Sequence, residues 1–339
     1  MRFQLDVVVW RGDIAESRHR VQVAACDPDG VVQSGTAEPQ LLTTYRSAAK
    51  PFQLLPLVER GHAERWGWSD EQLAVMAASH TGSARHVALV AGILERLGLS
   101  EGHLACGFHE PLDAAEHERL RLHPEARSRL HNNCSGKHAG MLCLALSEGW
   151  PVEGYEEARH PLQQLMRRTV AEMCGLPPER LSVAVDGCGV SVFGLPLSAM
   201  ARSYARLASA TAAGNPRERA LERIRGAMVS FPEVVGGEGR LSTTLMQACG
   251  GRLVAKGGAE GLECVGSPER SLGVALKCED GNARAISPAL IEVLEHLGAV
   301  SKAELGRLGE WHWPVVRNHA GTEVGSLQAV WGAPVTAGP

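Results

Sequence analysis

Several things are missing from this sequence, and each absence excludes a class of protein. No apolar run approaches the ~20 residues that a bilayer-spanning helix needs. No block of like charges occurs, and a net charge of -4 gives neither a basic surface for nucleic acid nor a polybasic membrane patch. Met1-Arg2-Phe3-Gln4-Leu5-Asp6 places an acid where an export signal needs its apolar core, so none is expected. There is no internal repeat and no low-complexity linker. A disulfide framework is missing too. The nine cysteines are odd in number and irregularly spaced, as in a reducing compartment, and the expected location is the cytoplasm.

What is present is an ordinary globular composition, 44% apolar and 21% charged, in a chain of 339 residues that can bury a substantial core. Val7-Val8-Val9-Trp10 reads as a strand. Val21–Cys26 and Val31–Thr36 read as a hairpin, because Asp27-Pro28-Asp29-Gly30 supplies turn geometry. From about residue 46 to 175 the pattern turns helical. Ser69 and Gln72 have capping-box spacing. His86, Val90, Ile93 and Leu97 share one face of a helix that Gly98 can end. Lys137–Leu146 is a further helix, and Pro161 opens another that runs to Cys174 and Gly175. Strands resume at 181–186 and 190–193. Helices are expected at 197–209, 216–229 and 286–298, and strands at 252–256, 272–277 and 326–331. Gly236–Gly239 reads as a mobile connection. Strands, then helices, then a mixture argue for α+β: an antiparallel sheet with helices packed on it and a helical lobe inserted midway. The lobes are drawn at 46–180 for the helices and at 1–45 plus 181–339 for the sheet.

The chemistry concentrates in short motifs. Ser47-x-x-Lys50 sets an amine three residues from a hydroxyl, on one face if the segment is helical, where the amine can take the hydroxyl proton or stabilise the alkoxide. Pro51 biases Lys50 away from helix, so a tight turn is the alternative. Ser79-His80-Thr81-Gly82-Ser83 is either a hydroxyl-rich helix cap or a second nucleophile or relay. Lys256-Gly257-Gly258 closes an apolar strand where glycine lets a ligand approach the backbone. Ser-x-x-Lys, an internal serine and a late Lys-x-Gly, in that order, form the ordered triplet of penicilloyl-serine enzymes. Asn132-Asn133-Cys134-Ser135-Gly136-Lys137-His138 and Asp186-Gly187-Cys188-Gly189 each carry a thiol among polar groups. Cys134 and Cys188 can be packed thiols or zinc ligands with room for a water. By chemistry alone His138 is the better third ligand than Lys137, because an amine must lose its proton to coordinate. A Cys134 nucleophile with a histidine base is a further reading.

The motifs Arg46–Gln53, Ser79–Gly82, Asn133–His138 and Asp186–Gly189, taken together and in order, resemble the class 3, rhizobial-type L-asparaginases of the asparaginase II family. The resemblance covers nearly the whole chain, which makes 1–339 one asparaginase II domain. It implies a serine β-lactamase/glutaminase-like fold, a homodimer, and hydrolysis of L-asparagine to L-aspartate and ammonia. It also implies two adjacent pairs, Ser47 with Lys50 and Ser79 with Lys256. Cys134, Lys137 and Cys188 would hold Zn²⁺, which favours Lys137 over His138 as the nitrogen ligand. Arg46, His138 and Asp186 would line the substrate site. The sequence departs from the lactamase pattern at Ser79-His80-Thr81 and Lys256-Gly257-Gly258, which lack the expected asparagine and middle hydroxyl. Both departures speak against lactam or peptidoglycan substrates.

The expected reaction is a two-step acyl transfer with Ser47 as the favoured nucleophile. A lysine base must have its pKa lowered by desolvation and by a second nearby amine. The zinc is expected beside the substrate but outside the chemical step. Rival readings are a lactamase-like or peptidase-like serine hydrolase and a zinc-binding protein without catalysis. Glutamine in place of asparagine is a variant that one methylene separates.

Overall fold

Val7, Val8 and Val9 are all buried in succession, which a strand achieves only with both faces covered. They belong to Leu5–Arg11, which pairs antiparallel with Ile14–Cys26 on one side and Glu323–Trp331 on the other. This is a computed structural model, and it describes residues 2–332. Across the main sheet the strands run Val315–Arg317, Glu323–Trp331, Leu5–Arg11, Ile14–Cys26, Leu272–Cys278, Leu262–Ser267 and Val254–Gly258. Every neighbouring pair on this path is antiparallel. Val32–Thr36 pairs back onto Ile14–Cys26, and Arg2–Phe3 adds in parallel to it. The turn between the hairpin strands forms as its residues demand. The Asp27 carboxylate accepts the Asp29 and Val31 N–H groups at 3.1 and 2.9 Å, and Gly30 takes φ +90°.

This sheet anchors one of two compact units, made of the residues up to Thr43, Leu195–Ser209 and Thr244 onward. Helix Leu197–Ser209 packs on its central strands, and two glycines set how closely. A Cβ at Gly273 would lie 1.9 Å from the Ala201 oxygen, and one at Gly266 2.7 Å from the Tyr204 oxygen. Strand Leu262–Ser267 is absent from the sequence reading. It is buried along its whole length, but Glu263 and Gly266 interrupt its apolar run.

The second unit, Thr44–Gly194 with Ala210–Thr243, is mainly helical. Its axis is Lys50–Glu59, in which Lys50 through Val58 are buried on every side. Helices Ser135–Ser147, Pro161–Cys174 and Pro216–Ser230 pack around it. The expected caps are present. Ser69 and Gln72 make both capping-box bonds at the start of Asp70–Met76, and Gly175 closes Pro161–Cys174 at φ +67°. The sequence division placed 181–194 and 210–243 with the sheet. They lie here instead, because Pro216–Ser230 buries Leu221, Ile224 and Met228 among helices Lys50–Glu59 and Asp70–Met76.

Gly236–Gly239, expected to be a mobile connection, begins as the end of helix Pro232–Gly236 and packs tightly at Gly237, while Glu238 and Gly239 are exposed. Val235 O accepts the Ser79 N–H at 2.9 Å, and a Cβ at Gly237 would meet Thr81 Cγ2 at 2.2 Å. Glycine is required there both for that approach and for φ +91°. Among the described residues no helix is long and apolar enough to cross a membrane.

Candidate active site

The Ser47–Lys50 stretch resolves the choice between helix and tight turn by using both. Arg46–Ala49 is a 3-10 turn, and the Lys50 N–H donates to Ser47 O. In such a turn side chains three apart eclipse one another. Lys50 then opens the α-helix Lys50–Glu59, with Pro51 in the first turn, where a missing N–H costs nothing. Arg46, just before the serine, has φ +44°, a left-handed backbone that costs a non-glycine residue about 1–3 kcal/mol.

Lys50 is 1% exposed. Its ammonium does not take the Ser47 hydroxyl. It donates to Ala78 O at 2.6 Å, Ser79 Oγ at 2.9 Å and Asn133 O at 3.3 Å. A buried amine with three donors needs three acceptors, and two main-chain carbonyls provide what one serine cannot. Its oxygen acceptors are all neutral. Burial therefore lowers its pKa from the ordinary lysine value. The Lys137 charge adds to the effect, and the Cys134 and Cys188 sulfurs oppose it. Ser47, Lys50, Arg46, Lys137 and Asp186 line one small notch, with Phe193 and Val192 on its wall.

Ser79 sits in a turn that its neighbours lock. His80 is fully buried, and burial holds it neutral. Its Nδ1 accepts the Gly82 N–H at 3.1 Å, so its Nε2–H donates to Ser135 Oγ at 2.9 Å, and Ser135 passes on to Leu130 O. Ser83 is the residue that starts the following helix, Ala84–Arg96.

The two thiols come together. Cys134 precedes helix Ser135–Ser147, whose N-terminus favours negative charge. The Cys188 S–H donates to Cys134, which drives the Cys134 pKa well below that of a free thiol and that of Cys188 up, with the Lys50 and Lys137 charges also stabilising the Cys134 thiolate. The pair shares one proton. Lys137 Nζ lies 2.9 Å from Cys188 Sγ, and Asp186 Oδ2 lies 3.8 Å from that sulfur. Burial alone would lower the Lys137 pKa, but the two sulfurs outweigh it and raise it.

Among the described residues no group close enough to share an ion brings His138 together with Cys134 and Cys188, so the chemical preference for His138 as third ligand gains no support. Tyr155 accepts the Ala105 N–H and donates its O–H to His138 Nδ1 at 2.5 Å, so that ring nitrogen is already engaged. His138 Nε2, buried, has no hydrogen-bond partner among the described residues. Arg46 Nε donates to Asp186 Oδ1 at 2.9 Å, and Gly187 N–H donates to the same oxygen. The sequence reading missed Tyr155, the carbonyls of Ala78 and Asn133, and the wall at Val235 and Gly237. Only the glycines at 236–239 signalled any of these. Lys256 lies in the sheet unit on Val254–Gly258, 2% exposed, and its ammonium donates to Gly257 O at 2.8 Å.

The helical unit thus carries a buried serine–lysine pair beside a cluster of two thiols and an amine. The chain belongs to the L-asparaginase II family, whose sequence model matches residues 7–329. No curated protein matches it. Among solved structures it is similar to Mglu in its native form in 4.3 M NaCl, at 17% identity over 85% of this chain and 63% of that one, with a TM-score of 0.48. It is similar to Mglu in its glutamate form at 17% identity over 86% and 64%, with a TM-score of 0.48. A β-lactamase from Mycobacterium bovis shares 13% identity over 83% of this chain and 95% of its own, with a TM-score of 0.41. The chain spans about 63% of the length of the first Mglu chain.

Proposed function

We propose that the protein is an L-asparaginase that hydrolyses L-asparagine to L-aspartate and ammonia by serine–lysine catalysis. One observation carries this reading: a fully buried amine of lowered pKa, Lys50, hydrogen-bonded to one serine and sharing a notch with another. In its neutral form Lys50 takes the Ser47 proton. The Ser47 oxygen forms a bond to the side-chain amide carbon, and the C–N bond breaks as the nitrogen receives a proton through Ser79 and leaves as ammonia. Water then attacks the ester, releasing aspartate and restoring the hydroxyl. The Arg46–Asp186 pair provides opposite charges for the α-carboxylate and α-ammonium of the substrate, and the unpartnered His138 nitrogen provides a further polar contact.

Two sulfurs and an amine in one buried cluster, with a carboxylate beside them, fit the donor chemistry of zinc with a position left for a fourth ligand. Cys134, Lys137 and Cys188 would hold the ion, which when bound supplies positive charge next to Asp186. Lys137 must lose its proton on binding, so uptake releases protons. The protein is proposed to act as a homodimer.

A second reading has its own support. The Lys50–Ser79 hydrogen bond of 2.9 Å favours Ser79 as the attacking oxygen. Acid-quenched turnover followed by peptide mass spectrometry separates the two. An aspartyl ester on the Ser47 peptide is expected. The same adduct on the Ser79 peptide transfers the nucleophile's role, and hydrolysis of a chromogenic lactam without ammonia release from asparagine overturns the amidase reading.

A further inference from the structure

Among the described residues outside the helical unit, two groups of side chains have the chemistry of metal donors. The first is His19, Cys278 and Asp280, and its bonding is already closed. Arg284 Nε–H donates to His19 Nε2 at 2.9 Å, so His19 Nδ1–H donates to Asp280 Oδ2 at 2.6 Å, and the Cys278 S–H donates to Asp280 Oδ1 at 2.9 Å. A guanidinium already supplies the positive charge.

The second group is not closed. Glu292 and Glu295 stand three apart on helix Ile286–His296 and so share a face. His312, from the short helix Gly309–His312, is 2% exposed and brings Nε2 to 2.8 Å from Glu292 Oε2. One oxygen of each carboxylate and one ring nitrogen lie within 4.8 Å of one another. Trp331 Nε1–H donates to Glu292 Oε1 at 2.7 Å and fixes that carboxylate's orientation, as outer partners of metal ligands do. Among the described residues no lysine or arginine pairs with either carboxylate, and the Glu295 carboxylate makes no hydrogen bond. His312 Nδ1 is buried and without a partner. Two like charges therefore face each other with one imidazole between them, an arrangement that a dication relieves.

The geometry points to a metal site here: Glu292, Glu295 and His312 bind one divalent first-row transition ion of the class that prefers oxygen and imidazole ligands, such as Mn²⁺. The residues differ in kind from the thiol cluster of the helical unit, and absence of thiolate favours the harder ions. Donors about 2.1 Å from an ion and at right angles to each other lie about 3.0 Å apart, close to the 2.8 Å separation of His312 and Glu292. The ion replaces the proton held between Nε2 and Oε2. The imidazole then carries its proton on Nδ1, and water fills the remaining positions on the exposed side at Glu295. The bound ion ties residues 309–312 to helix Ile286–His296.

The test uses the full-length protein, stripped by chelator and titrated with Mn²⁺, with the free ion read by its electron paramagnetic resonance signal. One Mn²⁺ per chain is expected in the wild type and equally in a Cys134→Ser/Cys188→Ser variant. Glu295→Gln alters an exposed side chain, so it should leave the fold intact and weaken binding at least tenfold. The rise in unfolding temperature on adding Mn²⁺ should vanish with it. No uptake by the wild type at millimolar Mn²⁺, or unchanged uptake in Glu295→Gln, overturns the site. Loss of uptake in the cysteine variant instead would assign the ion to the thiol cluster and overturn it as well.

Discussion

Both units take ionic groups out of water, and they do so on opposite terms. In the sheet unit Arg252 grips Glu304 with Nη2 at 2.6 Å from each oxygen and Nε at 3.0 Å, while Glu304 also accepts from Ser301 N–H and Oγ at 2.7 and 2.8 Å. Desolvation would raise this carboxyl, yet those bonds hold it down at about 2. In the helical unit Lys50 and Lys137 are amines of the same sign in one buried cluster, the oxygens that accept from Lys50 are neutral, and the neighbouring sulfurs offset the burial of its charge only in part. Opposite charges with complete hydrogen bonding make a structural clasp. Like charges held together make a group that gives up its proton readily, as a base must.

Experiments can break this comparison, beginning with the largest effect. Ser47→Ala and Lys50→Met should each lower ammonia release from asparagine by roughly three orders of magnitude or more, with cooperative unfolding retained. In the wild type, kcat should rise with pH as Lys50 loses its proton, with a midpoint below the ordinary lysine value. The folded chain holds fewer protons at Lys50 than the unfolded chain in that window. The stability cost of burying the charge is thus full at lower pH and relieved as pH rises toward the ordinary value. A flat profile, or turnover retained in either variant, would break the contrast from the helical side.

Glu304→Gln should cost about 3 kcal/mol in urea unfolding at neutral pH and leave kcat unchanged. Its carboxyl is lowered, so its contribution is present above its unfolded pKa of about 4.5 and is lost as pH falls toward about 2. A stability difference between wild type and variant that stays constant from pH 7 to pH 2 would remove the clasp. Chelation, or Cys134→Ser, should raise KM about tenfold with kcat changed by no more than a few-fold. A collapse of kcat would put the thiol cluster inside the chemical step. Gln72→Ala, which removes one arm of the Ser69 capping box, should cost about 1 kcal/mol and serves as a measure of ordinary local structure.

The parts legible in the sequence were those whose cause is local. The Ser69 box, the Pro161 start and the Gly175 stop, and the Asp27–Gly30 turn each follow from a few adjacent residues, and each stands where the spacing put it. The motif residues of the helical unit were also named from sequence. What they touch was not. Lys50 was assigned to Ser47 because the two are near in sequence, while its actual acceptors come from residues 78, 79 and 133. The bond between His138 Nδ1 and Tyr155, seventeen residues on, is likewise not legible in the local spacing. Strand Leu262–Ser267 escaped notice because a buried strand between two others needs no alternation, and Glu263 hid its apolar character.

The order of strands in the main sheet also sets a timetable for synthesis. The register joins Val9 to Leu327 and Val23 to Leu276, so strands made before the helical unit are completed by strands made after it. Every residue of the helical unit has been made by Thr243. At typical elongation rates the amino-terminal strands wait roughly 10–60 s for their partners, with apolar edges exposed for that time. The yield of folded protein in a cell therefore depends on translation speed and on whatever shields those edges meanwhile. A substitution there can lower abundance without changing the equilibrium stability of the finished chain.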